Sequence, residues 1–389
     1  MIPVFLIVSL LLLAIMYGYV GSRVYQAFHA NKAMQIAIIL YFFTCWLASP
    51  LPFILRFNDM ETSFGDSLSW FVYINMGIFS VVFIGYLLAD FTRFTAKKLC
   101  LLKQTSCDNA YDEDRRNLMK STFHFSLLGG TGALAGFGVQ QALQDATIKE
   151  VKVPVGNVPQ SLQNLRIVQF TDLHIGPMIK RHHVQRIVEQ INALKPDIIV
   201  MTGDLVDGSV VHLRPDVAPL AELQSTYGKY FITGNHEYYS GVDDWLEETA
   251  LLGFTNLINE HRIINHEGSR LLLAGVTDYR AHQYKAEHLS DPKKALHKAE
   301  QADVKILLAH QPKSIDAAAE AGFDLQISGH THGGQYYPWN FIAKMANPYI
   351  EGLHKHQDKT WIYVSRGTGY WGPPVRLGTE PEITLLTLV

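Results

Sequence analysis

Three stretches of this 389-residue chain contain no charged residue: Pro3–Val20, Met34–Leu55 and Leu68–Ala89. Each is long enough as a helix to cross about 30 Å of hydrocarbon. Within lipid a lone segment must satisfy its own backbone hydrogen bonds, so helices are dictated there. Pro50 and Pro52 interrupt the second stretch near its end. No ionisable group lies inside any of the three, so neither an ion pathway nor a proton relay is supported. The reading is a membrane anchor.

The links between these stretches differ in charge. The first holds Arg23 and Lys32; the second holds Asp59, Glu61 and Asp66. The third holds Arg93, Lys97, Lys98, Lys103, Arg115, Arg116 and Lys120. Basic links stay on the cytoplasmic side, which places the amino terminus outside. Thr122–Leu143 is a weaker fourth candidate, rich in small residues such as Gly129, Gly130, Gly132, Gly136 and Gly138. If it crosses, residues 146–389 lie on the extracytoplasmic side of the cytoplasmic membrane. The expected organisation is therefore a membrane region over 1–120, a fourth segment over 121–145, and a water-facing domain over 146–389.

The string Asp114-Arg115-Arg116-Asn117-Leu118-Met119-Lys120, followed by a moderately apolar Gly-rich stretch, resembles a twin-arginine export signal. Such a signal suits a metalloprotein that is loaded in the cytoplasm and exported folded. The plainer reading is that both arginines are ordinary positive-inside charges. Without insertion of this segment the domain would remain cytoplasmic.

Residues 146–389 carry 23 Lys+Arg against 27 Asp+Glu, without the basic footprint of a nucleic-acid binder. Cys45, Cys100 and Cys107 all precede this region, so it uses neither disulfides nor thiolate metal sites. Short apolar runs alternate with amphipathic ones. Strands are expected at Leu165–Phe170, Asp197–Met201, Lys229–Ile232, Arg270–Ala274, Val304–Leu308, Asp324–Ile327, Trp361–Val364 and Glu382–Leu388. Helices are expected at His183–Ala193, Val217–Ser225, Asp243–Leu251, Lys293–Gln301 and Ser314–Glu320, with Gln144–Gln163 as a connector. Alternation of this kind favours an α/β domain with helices covering its sheets.

Polar clusters follow five of the apolar runs: Asp172-Leu173-His174, Gly203-Asp204-Leu205-Val206-Asp207, Gly234-Asn235-His236-Glu237, His310, and Gly329-His330-Thr331-His332. In α/β sheets ligands gather beyond the carboxyl ends of strands, where these clusters would sit. Oxygen and nitrogen donors without thiolate suit Mn, Fe, Zn or Co, and a divalent pair can activate water against phosphorus. Any one of these residues alone could be a cap, a turn residue or a satisfied loop histidine. Their joint occurrence in this order is hard to ascribe to chance.

Residues 165–389 resemble a calcineurin-like metallophosphoesterase, and within that superfamily the membrane-anchored bacterial phosphodiesterases. The resemblance rests on Gly329-His330-Thr331-His332-Gly333-Gly334-Gln335 and on the tail strings Val364-Ser365-Arg366-Gly367 and Pro381-Glu382-Ile383. It implies an α/β metallophosphoesterase-type β-sandwich flanked by helices. It implies one ion held by Asp172, His174, Asp204 and His332, and a second by Asp204, Asn235, His310 and His330. Manganese is the favoured metal. It makes His236 a phosphate contact and proton donor to the leaving group, with Asp207 orienting the imidazole. The implied reaction is hydrolysis of a phosphoester by metal-activated hydroxide.

The substrate is less constrained. Tyr238, Tyr239, Tyr336, Tyr337, Trp339, Tyr370 and Trp371 could line an apolar rim, although packing is the default for such residues. Arg366 and Arg376 could grip phosphate or pair with acids. His354 and His356 read as solvated loop residues. A bilayer anchor favours a lipid or envelope phosphoester as substrate. A pyrophosphatase acting on a nucleotide-linked lipid precursor is the alternative, and it requires a cytoplasmic domain. A non-catalytic metal-binding sensor is a third reading, whose sign would be a lost ligand; none is lost.

Overall fold

The computed structural model describes residues 2–27, 31–57, 62–102 and 113–389. Asp59, Glu61, Lys103 and Cys107, used above, lie outside the described residues. The chain divides into two compact units: Met1–Met60 with Ser67–Gln140, and Glu61–Asp66 with Gln141–Val389.

The first unit is helical: α1 (Ile2–Ala27), α2 (Lys32–Ala48), α3 (Leu51–Phe57), α4 (Ser63–Leu102) and α5 (Glu113–Leu143). The second span is broken near its end into α2 and α3, where Pro50 and Pro52 lack the N–H groups that would carry α2 onward. Tyr17, Val20, Ile38, Phe79, Val82 and Tyr86 form the packed seam. The opposite faces are apolar too, with Leu11, Ile15, Ile39, Phe43, Leu47 and Phe91 exposed. Helices that are hydrophobic all round are either core helices of a large protein or membrane spans. Three of them are long and apolar enough to cross a membrane, over Ile7–Ala27, Lys32–Arg56 and Ser63–Leu99. The glycine-rich α5 falls outside that set.

The second unit begins with β1 (Thr147–Val153), β2 (Ile167–Phe170), α6 (Arg181–Ala193), β3 (Ile198–Met201), α7 (Val210–Val217), β4 (Lys229–Phe231), α8 (Asn235–Tyr239) and α9 (Val242–Leu251). It continues with β5 (Phe254–Asn256), β6 (Glu260–His266), β7 (Ser269–Gly275), α10 (Pro292–Ala295), β8 (Val304–Leu308), α11 (Ile315–Ala321), β9 (Leu325–Ser328) and α12 (Trp339–Ala346). It ends with β10 (Gly352–His356), β11 (Thr360–Val364) and β12 (Glu382–Leu388). Two six-stranded sheets result, ordered β1-β12-β2-β3-β4-β5 and β10-β11-β9-β8-β7-β6. The central strands β2 to β4 and β7 to β9 run parallel.

Strand alternation builds the layers. Ile167, Ile198 and Val200 face Leu271, Leu273, Ile306 and Leu325 in a core between the sheets. Their neighbours Val168, Phe170, Ile199 and Met201 turn the other way, against Val184, Ile187 and Ile191 of α6 and Trp245 of α9. On the second sheet Leu272, Ala274, Leu307 and Ile362 meet Ile315 and Ala318 of α11. The unit is an α/β sandwich covered by helices, as the alternation predicts.

Several local expectations fail. Gln144–Gln163 is not a plain connector, because β1 pairs with β12 in register from Thr147↔Glu382 to Val153↔Leu388. The helix placed at Val217–Ser225 lies earlier as α7, and only a 3-10 turn over Ala218–Glu222 follows, with Pro219 in its first positions. The helix expected at Lys293–Gln301 stops at Ala295, and Lys298 takes a left-handed φ of 57°.

Candidate metal centre

The carboxyl ends of β2, β3, β4, β8 and β9 deliver the polar clusters to one place. Asp172, His174, Asp204, His236, His310 and His332 are all buried there. Asp172, His174, Asp204, His330 and His332 also adopt positive φ, between 50° and 74°. Left-handed backbone is uncommon for residues with a side chain, and it concentrates at functional sites held by surrounding structure. Here it turns successive side chains inward from tight loops.

Two glycines permit the loops to approach. Gly203 has φ +90°, and a side chain there would also strike the Gly234 backbone at 2.5 Å. A side chain at Gly329 would land on the Asp172 carboxylate and on Thr171. The carboxylates then tie the loops together. Asp172 accepts from the His330 N–H at 2.9 Å, and Asp204 Oδ1 accepts from the His236 N–H at 2.9 Å.

The other oxygen of Asp204 is the point of convergence. Its Oδ2 lies 3.2 Å from His310 Nε2, and 3.9 Å from both His174 Nε2 and His236 Nε2. His310 Nδ1 sits 2.8 Å from the Thr202 carbonyl, which can only accept, so Nδ1 carries a proton. In the neutral ring Nε2 is then a bare acceptor facing a carboxylate. His330 Nδ1 is 3.2 Å from that same Nε2. A second set comprises Asp172, His174 and His332, with the two Nε2 atoms 3.1 Å apart and His332 Nε2 3.6 Å from Asp172 Oδ1. Asn235 Oδ1 is buried with no hydrogen-bond partner. Carboxylates and ring nitrogens that converge on one point, with a buried carbonyl left over, suit divalent cations.

Asp207 joins the sets. Its Oδ1 forms a short hydrogen bond with His236 Nδ1, and its Oδ2 lies 3.3 Å from His174 Nδ1, off the line of a hydrogen bond. Eight of the nine residues singled out in the sequence fall into three such sets, Asn235 precedes His236 in the chain, and Asp207 stands beside a second imidazole as well as the expected one.

Charge in the cluster is polarised. Burial pulls His310 towards neutrality, but the adjacent Asp204 carboxylate outweighs it and holds the imidazolium up to about 10. Burial acts on Asp204 in the opposite sense and is again outweighed, by His310 and His236, so it stays well below the usual carboxylate range. His330 falls to about 3 through burial and the His310 charge. Burial, with His174 and Arg376 nearby, also lowers His332. His330, His332 and Asp204 thus stand in the protonation states that metal binding requires, whereas His310 must give up a proton to become a ligand.

Some functional residues escaped the sequence reading. Glu237 is buried and accepts the N–H groups of Asp204 (3.0 Å), Leu205 (2.8 Å) and Gly234 (2.6 Å). It clamps the two ligand loops, and burial next to Asp204 pushes its carboxyl up to about 7. The signal was its place in Gly234-Asn235-His236-Glu237, where a tight loop needs an acceptor. Arg376 is fully buried and donates to the carbonyls of Arg366 (2.9 Å), Thr379 (3.2 Å) and Gly369. Arg366 pairs instead with Glu351 at 2.5 Å. His354 and His356 are not loop residues but lie on β10, where His356 meets Asp316 at 3.0 Å. Among the aromatics, Tyr238, Tyr336 and Tyr370 are packed, whereas Tyr239 and Trp371 flank His236 with ring centres 5.1 and 5.9 Å away.

Residues 165–334 match the model of the calcineurin-like phosphoesterase family. An uncharacterized metallophosphoesterase of Helicobacter pylori is 32% identical over 99% of this chain and 99% of its own. The chain belongs to the calcineurin-like metallophosphoesterase family. Transmembrane proteins with a metallophosphoesterase domain from Danio rerio and Bos taurus are 38% and 40% identical, each over 66% of this chain. The chain spans about 60% of the length of those two relatives, at 61% and 60%. Similarity thus extends to animal as well as bacterial members of the family.

Proposed function

We propose that the protein is a membrane-anchored, dinuclear-metal-dependent phosphoesterase acting on a phosphoester of a lipid or envelope component. The observation that carries this reading is Asp204 Oδ2 facing the Nε2 atoms of His310 and His174, together with the buried, unpartnered Asn235 carbonyl. Asp172, His174, Asp204 and His332 would hold one ion, and Asp204, Asn235, His310 and His330 the other, with Asp204 shared. Such a pair supplies charge neutralisation and an activated water for attack on phosphorus. Manganese suits the mixed oxygen and nitrogen donors.

The chain's own contribution centres on His236. Asp207 accepts the hydrogen bond of its Nδ1–H, which fixes the ring. His236 would then carry a second proton at Nε2, on the side of Asp204, and give it to the departing oxygen. Glu237 keeps both ligand loops in register during this transfer. We further propose the bacterial membrane-anchored phosphodiesterase branch, an extracytoplasmic domain and export through the twin-arginine-like string; the basic third link and Arg115-Arg116 support these.

The test is phosphate release by the purified full-length protein in Mn, Fe, Zn or Co, on bis(p-nitrophenyl) phosphate and on extracted membrane lipids. Turnover is expected for the native chain and not for Asp204→Asn. Equal rates for the two proteins in every metal would refute the reading.

A further inference from the structure

Helix α12 is the feature of the second unit that its packing leaves unexplained. Its outward arc consists of Phe341, Ile342 and Met345, spaced at i, i+1 and i+4, and Met345 is 88% exposed. Tyr337, just before the helix, is exposed as well, and Lys344 flanks the arc. The opposite side, at Asn340, is buried. Other large exposed apolar residues, such as Val211, Leu251 and Leu289, stand singly and need no explanation. Four within nine residues, on one short amphipathic element, have the composition of an interfacial helix.

We propose that α12 inserts its Phe341–Ile342–Met345 face into the bilayer surface and so presents the metal centre to lipid phosphoesters. Two observations select a bilayer as the occupant. The chain carries three helices apolar enough to cross a membrane, and only residues 144–146 separate α5 from β1. The domain is therefore carried on one chain with helices suited to a bilayer, and follows α5 directly. Aromatic and aliphatic groups beside a lysine also suit the boundary between headgroups and acyl chains.

The helix is coupled to the rim of the site. The Gln335 side-chain amide donates to the carbonyls of Trp371 (3.1 Å) and Pro373 (3.0 Å), and its Oε1 accepts the Trp371 N–H at 3.0 Å. The Trp371 ring in turn stands 5.9 Å from the His236 ring. The loop that carries the docking face is thus fastened to the loop that flanks the reacting group. The docking rests on the anchor alone; the lipid substrate rests on the phosphoesterase reading.

The experiment uses the full chain with Cys45→Ser, Cys100→Ser and Cys107→Ser, spin-labelled at Met345→Cys and reconstituted in phosphatidylethanolamine–phosphatidylglycerol liposomes. The label should collide with oxygen severalfold more, relative to a water-soluble nickel chelate, than one at Leu251→Cys on α9. Equal nickel access at both positions would overturn the docking. So would dipolar broadening at Met345→Cys that disappears on dilution with unlabelled protein, which would mean that a second copy covers the face. In the same liposomes, Phe341→Asp with Met345→Asp should lower the ratio of lipid to bis(p-nitrophenyl) phosphate hydrolysis at least tenfold. An unchanged ratio would overturn presentation to lipid. A native chain inactive on both substrates would sink the phosphoesterase reading, while the collision data would still decide the docking.

Discussion

His236 and Asp204 lie 3.9 Å apart, yet their replacement should have different consequences. His236→Ala removes the group that holds a proton for the leaving oxygen and leaves the proposed ligand set whole. Turnover should fall by about 10²–10⁴-fold, with metal content unchanged by elemental analysis. Asp204→Asn withdraws the charge around which three imidazoles converge, so both ions and all activity should be lost. A variant that retained two ions per chain would refute the bridging role. The same electrostatics sets a pH dependence. In metal-stripped protein His310 is held up at about 10 by Asp204, so below that pH a proton occupies the place a cation would take. Metal must displace it, so affinity should rise with pH by up to about tenfold per unit for one proton released, throughout the range below about pH 10. Calorimetric titration in buffers of different ionisation heat counts that proton; no release across this range would contradict the assignment.

At the level of elements, Gly329 shows how the loops are built around the carboxylates. A methyl group there meets Thr171 Oγ1 at 2.5 Å and overlaps Asp172, neither of which can yield in a packed loop. Gly329→Ala should cost about 1–3 kcal/mol of stability, seen as a lower urea midpoint, together with weakened metal binding. Gly268→Ala is the comparison: φ is +85° and nothing lies nearby, so stability should drop while metal binding holds. Loss of metal binding in both would make the effect global rather than local. Such crowding cannot be read from a sequence, which presents Gly203, Gly234 and Gly329 only as parts of motifs. Strand content was readable in part, for a physical reason. β2, β3, β4, β7, β8 and β9 are covered on both faces and appear as apolar runs such as Ile198-Ile199-Val200-Met201. The four strands missed, β1, β5, β6 and β10, are the four sheet edges. Thr147-Ile148-Lys149-Glu150 and Glu260-His261-Arg262-Ile263 mix polar and apolar residues because one side meets water, as edge strands tend to. The helix α12 was missed differently: its apolar face points outwards, so a search for core-facing periodicity has no partner to assign it.

For the molecule as a whole, the question is where the catalytic unit begins. The family match starts at residue 165, and the sequence suggested a connector before it. The packing argues for an earlier start. Val153, Val155 and Leu162 are buried in the core between the sheets, and β1 supplies the edge partner of β12. Ala142 and Ala146 also belong to the core under α6. Removing residues before 165 would strip three buried apolar side chains, each worth about 1.5–3 kcal/mol, and leave the long apolar strand β12 with an open edge. Domain stabilities are of order 5–15 kcal/mol, so that loss is decisive. A fragment of residues 141–389 should therefore be soluble, unfold cooperatively in urea and hydrolyse bis(p-nitrophenyl) phosphate with metal. A fragment of residues 165–389 should aggregate or melt at least several degrees lower by circular dichroism. Equal stability of the two fragments would show that β1 is an ornament of the sheet rather than part of the folding unit.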